Sequence, residues 1–307
     1  MPTDWESILR SWVKRPSDNE ESKRDRTEKE IRAALSASDA LKNISYKVYA
    51  KGSYANNTNV RLDYDVDIAI ECNEFYYYDS QGAPANIEQK LALVESRIPA
   101  YKGGYTHQQF KADVEAALVA YYGSSAVTRG NMAMRVREKK TTLPADVVPC
   151  YEYHYNYNAD FAGNPVYHQG TRVYRDSGGH IDNWPVQQKS QGNLKNSLTA
   201  KRYKRMVRAL KRLENTLVDR GLIDDLPSFF IECLVYNVPN DRFNHTTYVA
   251  DMRSVLAYIF NETMSATQCN EWTEVNERKW LFRPSQGWNF RQAHQLADAA
   301  WDYIGFE

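Results

Sequence analysis

Two segments in the first quarter of the chain alternate apolar and polar residues with the period of a β-strand. In residues 44–51 and in residues 64–72 every second position is apolar, which is typical of a strand with one buried face. Further strands are predicted near 131–138 and 145–157, with a hairpin of 171–175 and 180–183 around Ser177-Gly178-Gly179. The first part of the chain therefore predicts a sheet.

The spacing of apolar residues is helical near the N-terminus, in the middle and in the last third of the chain. Residues 4–38 predict a helix that breaks near Pro16, and residues 107–122 predict an amphipathic helix. From about residue 195 onward, helices are predicted at 197–220, 228–237, 247–261 and 289–304. The whole pattern predicts an α+β fold, with a central mixed sheet flanked by helices and a C-terminal helical bundle.

A chain of 307 residues is long enough for one large domain or two moderate ones. We expect two domains. Residues 1–195 would form the sheet-containing core with its N-terminal helices, and residues 196–307 the helical domain. We expect the active site in the cleft between them.

The composition is that of an ordinary globular protein and excludes several classes. The chain has 39 Lys and Arg against 39 Asp and Glu, so its formal net charge is zero, whereas domains that bind nucleic acid over their whole surface are strongly basic. No apolar run approaches the roughly 20 residues of a membrane span. The four cysteines form no CxxC pair, which argues against a zinc site or disulfide framework. We expect a cytoplasmic protein with no membrane partner and no sequence-specific nucleic acid partner.

Carboxylates in apolar strands are the chemically informative residues. Asp65 and Asp67 are two positions apart, so in a strand they lie on one face, about 6–7 Å from each other along it. Asp146 stands in a later apolar run, where an unpaired carboxylate is costly. Carboxylate oxygens are the ligands that Mg²⁺ prefers, and many phosphoryl-transfer sites hold two ions. Taken alone, an Asp-x-Asp pair is also common in solvated loops and in glycosyltransferases.

A Gly-Ser turn between the first two strands narrows the interpretation. Gly52 and Ser53 can present backbone N–H groups and a hydroxyl to a phosphate. The order of turn, Asp pair and later Asp146 indicates a metal-dependent nucleotidyltransferase. We expect Asp65, Asp67 and Asp146 to be catalytic and to hold two divalent ions, Mg²⁺ or Mn²⁺.

A helix predicted from about residue 199 brings a second group of charges. Between Lys189 and Leu213 the sequence contains nine basic residues and no acidic one. On a helical wheel the basic residues of the helix lie opposite an apolar stripe. For most of these basic residues a solvated helix face is a sufficient explanation. The segment also carries positive charge that is suited to binding a triphosphate.

These motifs resemble the polymerase-β-type nucleotidyltransferase superfamily and, within it, the bacterial cGAS/DncV-like nucleotidyltransferases (CD-NTases) of clade E. The resemblance covers most of the chain in collinear order. It is carried by four stretches, Gly52–Asp67, Leu143–Val148, Asn183–Pro185 and Phe230–Pro239. The Cys/His zinc insertion of the animal cGAS type is not in the sequence.

The resemblance implies that two nucleoside triphosphates are joined into a cyclic dinucleotide with release of pyrophosphate. It implies that Asp65, Asp67 and Asp146 hold the metals and that Gly52 and Ser53 contact the donor triphosphate. The product would be a second messenger of anti-phage (CBASS) signalling, which activates a downstream effector protein.

Four further nucleotide-binding residues follow from the resemblance. Asn183, just before an aromatic-Pro pair, would select uracil, since its amide offers both a donor and an acceptor. Lys204 and Lys211, one heptad apart, would bind the triphosphate, and Tyr236 would stack on a base or pack in the core. UTP would be one substrate, with ATP or CTP as the other. Cyclic UMP–AMP, cyclic di-UMP and a mixed dipyrimidine product all fit.

Two alternative functions stay open at this point. A template-independent RNA nucleotidyltransferase would use the same carboxylates and would need an RNA groove, for which the basic helix is the candidate. A non-enzymatic nucleotide sensor on an inactive fold is disfavoured by the presence of Asp65, Asp67 and Asp146.

Overall fold

The computed structural model describes residues 3–60, 65–80, 91–92, 95–96, 98 and 100–307. The chain divides into two compact units. The helical unit consists of Met1–Ser17, Gly52–Asp63 and Val186–Glu307, and the sheet unit of Asp18–Lys51 and Tyr64–Pro185. The predicted strand at 64–72 begins at a residue outside the described part of the chain. The domain boundary expected at 195/196 stays a prediction.

The sheet unit is built on a mixed sheet. Its described strands are β1 (Tyr46–Ala50), β2 (Val66–Asp79), β3 (Val127–Arg129), β4 (Met134–Val136), β5 (Ala145–Ala159), β6 (Pro165–Tyr174) and β7 (His180–Asn183). They lie in the order β1-β2-β5-β4-β3, while β6 pairs with β5 and β7 with β6. Strands β2 and β5 run parallel, and the other described pairs are antiparallel. The predicted α+β class and mixed sheet are confirmed.

The central pair of strands is buried, which explains its apolar composition. Ile68 of β2 and Val147 of β5 are register partners and are wholly buried. Tyr151 is also buried, so part of the tyrosine-rich end of β5 forms a packed face. Helices α2 (Asp18–Ser36) and α4 (His107–Tyr122) pack against this sheet. The sheet unit therefore has its own hydrophobic core.

The helical unit has a separate core. Its described helices are α1 (Trp5–Trp12), α3 (Gly52–Asn56), α5 (Pro185–Leu198), α6 (Arg202–Asp219), α7 (Ser228–Asn237), α8 (Tyr248–Glu262) and α9 (Phe290–Ile304). The predicted apolar stripe of α6 lies in this core: Tyr203, Met206, Val207, Leu210, Leu213 and Leu217. None of the helices described is both long and apolar enough to cross a membrane.

One predicted helix, 197–220, is two helices in the structure. Helix α5 ends at Leu198, and Ala200 and Lys201 have φ values of 47° and 66° in the left-handed region. The Thr199 hydroxyl accepts a hydrogen bond at 3.1 Å from the Tyr203 amide in the first turn of α6, whose N-cap residue is Lys201. Helix α5 was not predicted, because its polar sequence lacks a clear apolar stripe.

Candidate active site

The three predicted metal ligands lie at the start of β2 and β5. Asp67 and Asp146 are direct register partners in the parallel pair. Their neighbours Val66, Ile68 and Val147 are fully buried. Because side chains alternate across a strand, the two aspartates share the opposite face of the sheet. Two adjacent strands thus place two carboxylates side by side.

Asp65 directly precedes β2, at the same end of these strands as Asp67 and Asp146, and forms an ion pair there. Its Oδ2 lies 2.8 Å from an Arg135 guanidinium nitrogen. Arg135 belongs to β4, where it is the register partner of Asp146. We call Asp65, Asp67 and Asp146 the acidic edge. Arg135 forms an ion pair with the acidic edge, and sequence reasoning missed it.

The charges of the acidic edge repel one another. Burial, followed by the charge of Asp65, raises the pKa of the Asp146 carboxyl above its ordinary value, while Arg135 and Lys51 act in the opposite direction. A nearby cation would favour the ionised form of this carboxyl and so lower its pKa.

The donor set of the acidic edge fits a divalent cation, although it is not a preformed metal cage. Its ligands are hard carboxylate oxygens on one face of adjacent strands. Within the part of the chain that the structure describes, no group of three or more His, Cys, Asp or Glu side chains is already arranged as metal ligands. Asp65 is engaged with Arg135 instead. The identity and number of the ions stay predictions.

The predicted phosphate-binding turn forms the short helix α3 of the helical unit. Gly52 has a φ of 68°, a left-handed conformation that favours glycine. Ser53 is half-buried, and its carbonyl accepts a hydrogen bond from the Thr58 amide at 2.9 Å. This hydrogen bond therefore closes a loop between Ser53 and Thr58.

Lys204 lies on α6 in a positive environment. Its ammonium donates a hydrogen bond to the Asn193 side-chain oxygen at 2.6 Å. Burial above all, together with the charges of Arg15, Arg208 and Lys189, lowers the pKa of Lys204 to about 8, while Glu232 opposes them. A lysine surrounded by other cations is suited to an anionic ligand.

Lys211 is placed differently from Lys204. It is 2% exposed, and its ammonium donates to the Thr58 carbonyl at 3.1 Å and lies 3.9 Å from the Glu232 carboxylate. Thr58 in turn donates its hydroxyl to Glu232 at 2.7 Å. Lys211 is thus part of an internal network, and its predicted contact with a triphosphate stays a prediction.

Asn183 and Tyr236 are the two predicted base contacts, one in each unit. Asn183 ends β7, is half-buried and is the register partner of Thr171. Tyr236 of α7 donates its hydroxyl to Glu277 at 2.5 Å, and its ring meets the edge of Tyr203 with centroids 6.0 Å apart. Tyr236 therefore has structural partners already, and both base contacts stay predictions.

Each unit contains a different set of the predicted site residues. The sheet unit holds the acidic edge and Asn183. The helical unit holds the other predicted residues: Gly52, Ser53, Lys204, Lys211 and Tyr236. Sequence reasoning missed Arg135, Thr58 and Glu232. An acidic residue inside the apolar run 229–235 was the one available signal for Glu232.

Comparisons with known proteins identify relatives over the whole chain. The model of the cGAS/DncV-like nucleotidyltransferase C-terminal helical domain matches residues 190–305. The chain is similar to the cyclic dipyrimidine nucleotide synthase CdnE of Legionella pneumophila, with 38% identity over 99% of each chain. It is also similar to a cyclic dipurine nucleotide synthase of Elizabethkingia meningoseptica, with 33% identity over 98% of this chain and 99% of the relative.

A solved structure extends this similarity to the fold. It is the Rhodothermus marinus CdnE c-UMP-AMP synthase with Apcpp and Upnpp. It matches this chain with a TM-score of 0.80 and 30% identity, covering 98% of this chain and 97% of that chain.

Proposed function

The chain belongs to the cGAS/DncV-like nucleotidyltransferases, and we propose that it joins two nucleoside triphosphates into a cyclic dinucleotide that contains at least one pyrimidine. The observation that carries the proposal is the pairing of Asp67 with Asp146 on adjacent parallel strands, with Asp65 beside them. The similarity to cyclic dinucleotide synthases covers nearly the whole chain, so it supports the activity as well as the fold.

The proposed reaction consists of two successive nucleotidyl transfers. A ribose hydroxyl of one nucleotide attacks the α-phosphorus of another, the bond to the β-phosphate breaks, and pyrophosphate leaves. The linear product then repeats the step within itself, which closes the ring and releases the second pyrophosphate. The hydroxyl proton is lost in each step, so each transfer balances.

Asp65, Asp67 and Asp146 would hold the divalent ions. Such ions neutralise charge on the transferring phosphoryl group and orient the attacking and leaving oxygens. The shared face of Asp67 and Asp146 and the raised pKa of Asp146 support this assignment. Family members generally use divalent metal ions, and Mg²⁺ or Mn²⁺ in a pair is our proposal for this chain.

The helical unit would supply the binding of the triphosphate. Lys204 is the stronger candidate, because its ammonium is bound to a neutral amide oxygen, that of Asn193, and not to a carboxylate. Gly52 and Ser53 would contact the donor phosphates through the turn of α3. We propose that these residues bind the phosphates of the nucleotides on which the acidic edge acts.

The base choice rests on Asn183 and on the relatives. The Legionella relative is a cyclic dipyrimidine synthase and the Rhodothermus structure a c-UMP-AMP synthase with Apcpp and Upnpp. The Elizabethkingia relative is a cyclic dipurine synthase. We therefore propose UTP as one substrate, with ATP or CTP as the second. Asn183→Ser should shift NTP competition toward purines, and an unchanged product ratio would remove Asn183 from this role.

In the cell, the product would act as a second messenger in anti-phage signalling and would activate a separate effector protein. We propose the cytoplasm as the site of action, because the substrates are nucleoside triphosphates. Membership of the family supports this role.

The test is to incubate the protein with each labelled NTP alone and in pairs, with Mg²⁺ or Mn²⁺, and to treat the products with phosphatase. A cyclic product survives phosphatase, and the labels identify its bases. A phosphatase-sensitive ladder, or extension of a labelled RNA, would instead support a template-independent RNA nucleotidyltransferase. A further control replaces Asp65 and Asp67 by Asn, which should abolish the product.

A further inference from the structure

Glu232 is a buried carboxylate in an otherwise apolar helix. It is 2% exposed, and its neighbours Ile231 and Cys233 on α7 are buried as well. A buried charge of this kind needs compensating partners. Glu232 receives a hydrogen bond from the Thr58 hydroxyl at 2.7 Å and lies 3.9 Å from the Lys211 ammonium. Its partners therefore connect α7 to α6 and to the segment that follows α3.

The segment that follows α3, Asn57 and Thr58, is also held through its backbone. The Thr58 carbonyl accepts a hydrogen bond from Lys211, and the Asn57 carbonyl accepts one from the Arg208 guanidinium. Arg208 also donates to the Val13 carbonyl at 2.7 and 2.9 Å, so it is fixed on both sides. Asn57 has a φ of 55° in the left-handed region, so the backbone bends directly after α3.

The same segment begins with the proposed phosphate-binding turn. The Thr58 amide donates to the Ser53 carbonyl at 2.9 Å, so a shift of Thr58 would be transmitted to Ser53. Thr58 is completely buried, and Tyr54 and Asn56 of the five-residue helix α3 are buried as well. The position of Ser53 is tied to that of Thr58 by the hydrogen bond between their backbones.

We infer that Glu232 and Lys211 are positioning residues that fix the turn of Gly52 and Ser53 through Thr58, and that Lys211 acts on the turn rather than on the triphosphate. This inference rests on the proposed function, since the turn matters only if it binds a phosphate. It assigns Lys204 and Lys211, which sequence alone treats alike, to different tasks. The difference follows from their partners, Asn193 for Lys204 and the Thr58–Glu232 pair for Lys211.

A buried ion pair of this sort is weak evidence for stability, because apolar residues of similar size often serve a fold as well or better. Its effect is to specify one arrangement of the groups that it connects. A Lys211→Met/Glu232→Met variant should therefore fold at least as stably as the wild type, and still bind triphosphate less well because the turn is no longer fixed.

The decisive variant is Thr58→Val, which removes one hydroxyl and leaves Lys211 in place. Binding would be measured by calorimetry with a UTP analogue that carries an imido bridge, and with UMP. Thr58→Val should raise the Kd for the UTP analogue about fivefold, as expected for the loss of one buried hydrogen bond. The Kd for UMP should not change, and Thr58→Ser, which keeps the hydroxyl, should restore binding of the analogue.

Glu274→Gln is the matched control. Glu274 is 4% exposed in the same unit and accepts hydrogen bonds from Asn276 and Gln286, which do not belong to the 52–60 segment. It should leave the Kd for the UTP analogue unchanged. In the Lys211→Met/Glu232→Met background, Thr58→Val should add little, because its partner is already gone.

Wild-type affinity of Thr58→Val for the UTP analogue would overturn the inference, and so would an equal loss of UMP binding. The assay needs no turnover, so it separates this inference from the proposed function. If the wild type forms no cyclic product but Thr58→Val still weakens triphosphate binding alone, the positioning role stands and the proposed function fails. If product forms and the variant binds and reacts like the wild type, the positioning role fails by itself.

Discussion

The two charged regions of the molecule are built in opposite ways. In the acidic edge, like charges lie together at half-buried positions, and burial, followed by the charge of Asp65, raises the pKa of Asp146. In the helical unit, Lys211 is buried beside the Glu232 carboxylate, so its positive charge is balanced by a negative charge of the same unit. Lys204 is intermediate between these two cases: it is buried like Lys211, but several like charges lie near it. The comparison shows that charge alone does not mark a ligand site, because a buried ion pair such as that of Lys211 with Glu232 can belong to the internal structure.

The strongest test of this comparison removes charge from the acidic edge. Asp65→Asn/Asp67→Asn should lower the rate of product formation at least about 1,000-fold, because the charge stabilisation that a metal supplies amounts to several kcal/mol. The measurement is initial rate with Mg²⁺ and separately with Mn²⁺. Asp79→Asn, at the far end of the same strand β2, is the control and should keep its activity. Activity retained by the double variant would remove the acidic edge from catalysis.

The next largest effect is expected at Lys204. Lys204→Met should raise KM for the triphosphate roughly 10- to 100-fold, since hydrogen bonds to charged groups contribute about 1.5–3 kcal/mol. The value of kcat should change less than KM if Lys204 acts in binding. Arg212→Met, on the same helix, tests whether general loss of positive charge suffices. An equal effect of the two substitutions would argue against a specific ligand.

A smaller effect should follow from pH. Lys204 is charged below its pKa of about 8 and loses its charge as the pH rises through that value, so triphosphate binding should weaken between about pH 7 and pH 9. The phosphates of the ligand stay ionised over this range, because their last pKa is about 6. Equilibrium binding of the UTP analogue measures the change. Lys204→Arg should flatten the profile, since arginine stays protonated; a profile that persists in this variant would have another source.

The smallest expected effect concerns stability. The raised pKa of Asp146 means that the folded state disfavours its charged form, so Asp146→Asn should stabilise the metal-free protein while it abolishes activity. The thermal midpoint, measured with EDTA at pH 7, should rise by about 2–4 °C per kcal/mol of relief. Asp160→Asn is the contrast, because hydrogen bonds from Asn164 lower the pKa of Asp160. That variant should be no more stable than the wild type, and a rise for both would contradict the repulsion argument.

The local elements of the site could be predicted from sequence, because they depend on short-range periodicity. Alternation around Asp67 and an apolar run around Asp146 predict the two strands, and the structure confirms both. Alternation cannot supply the register between strands. Only the sheet shows that Asp67 lies opposite Asp146 and that Arg135 joins them.

What escaped prediction depends on contacts between distant parts of the chain. Thr58 and Glu232 are 174 positions apart, and neither carries a local signal that names the other. The break at Ala200 and Lys201 also escaped, because basic and apolar residues keep a helical spacing across it while two residues adopt left-handed backbone. A hydrogen bond from the Tyr203 amide to the Thr199 hydroxyl spans this break, and periodicity does not detect it.

The most direct test of the central claim counts pyrophosphate. The protein would be incubated with α-labelled UTP and its preferred second NTP, and released pyrophosphate compared with label in the phosphatase-resistant product. A cyclic dinucleotide synthase gives two pyrophosphates for each resistant dinucleotide, and the Asp65→Asn/Asp67→Asn variant gives none above background. One pyrophosphate per nucleotide added to a phosphatase-sensitive chain, with no resistant product, would contradict the account.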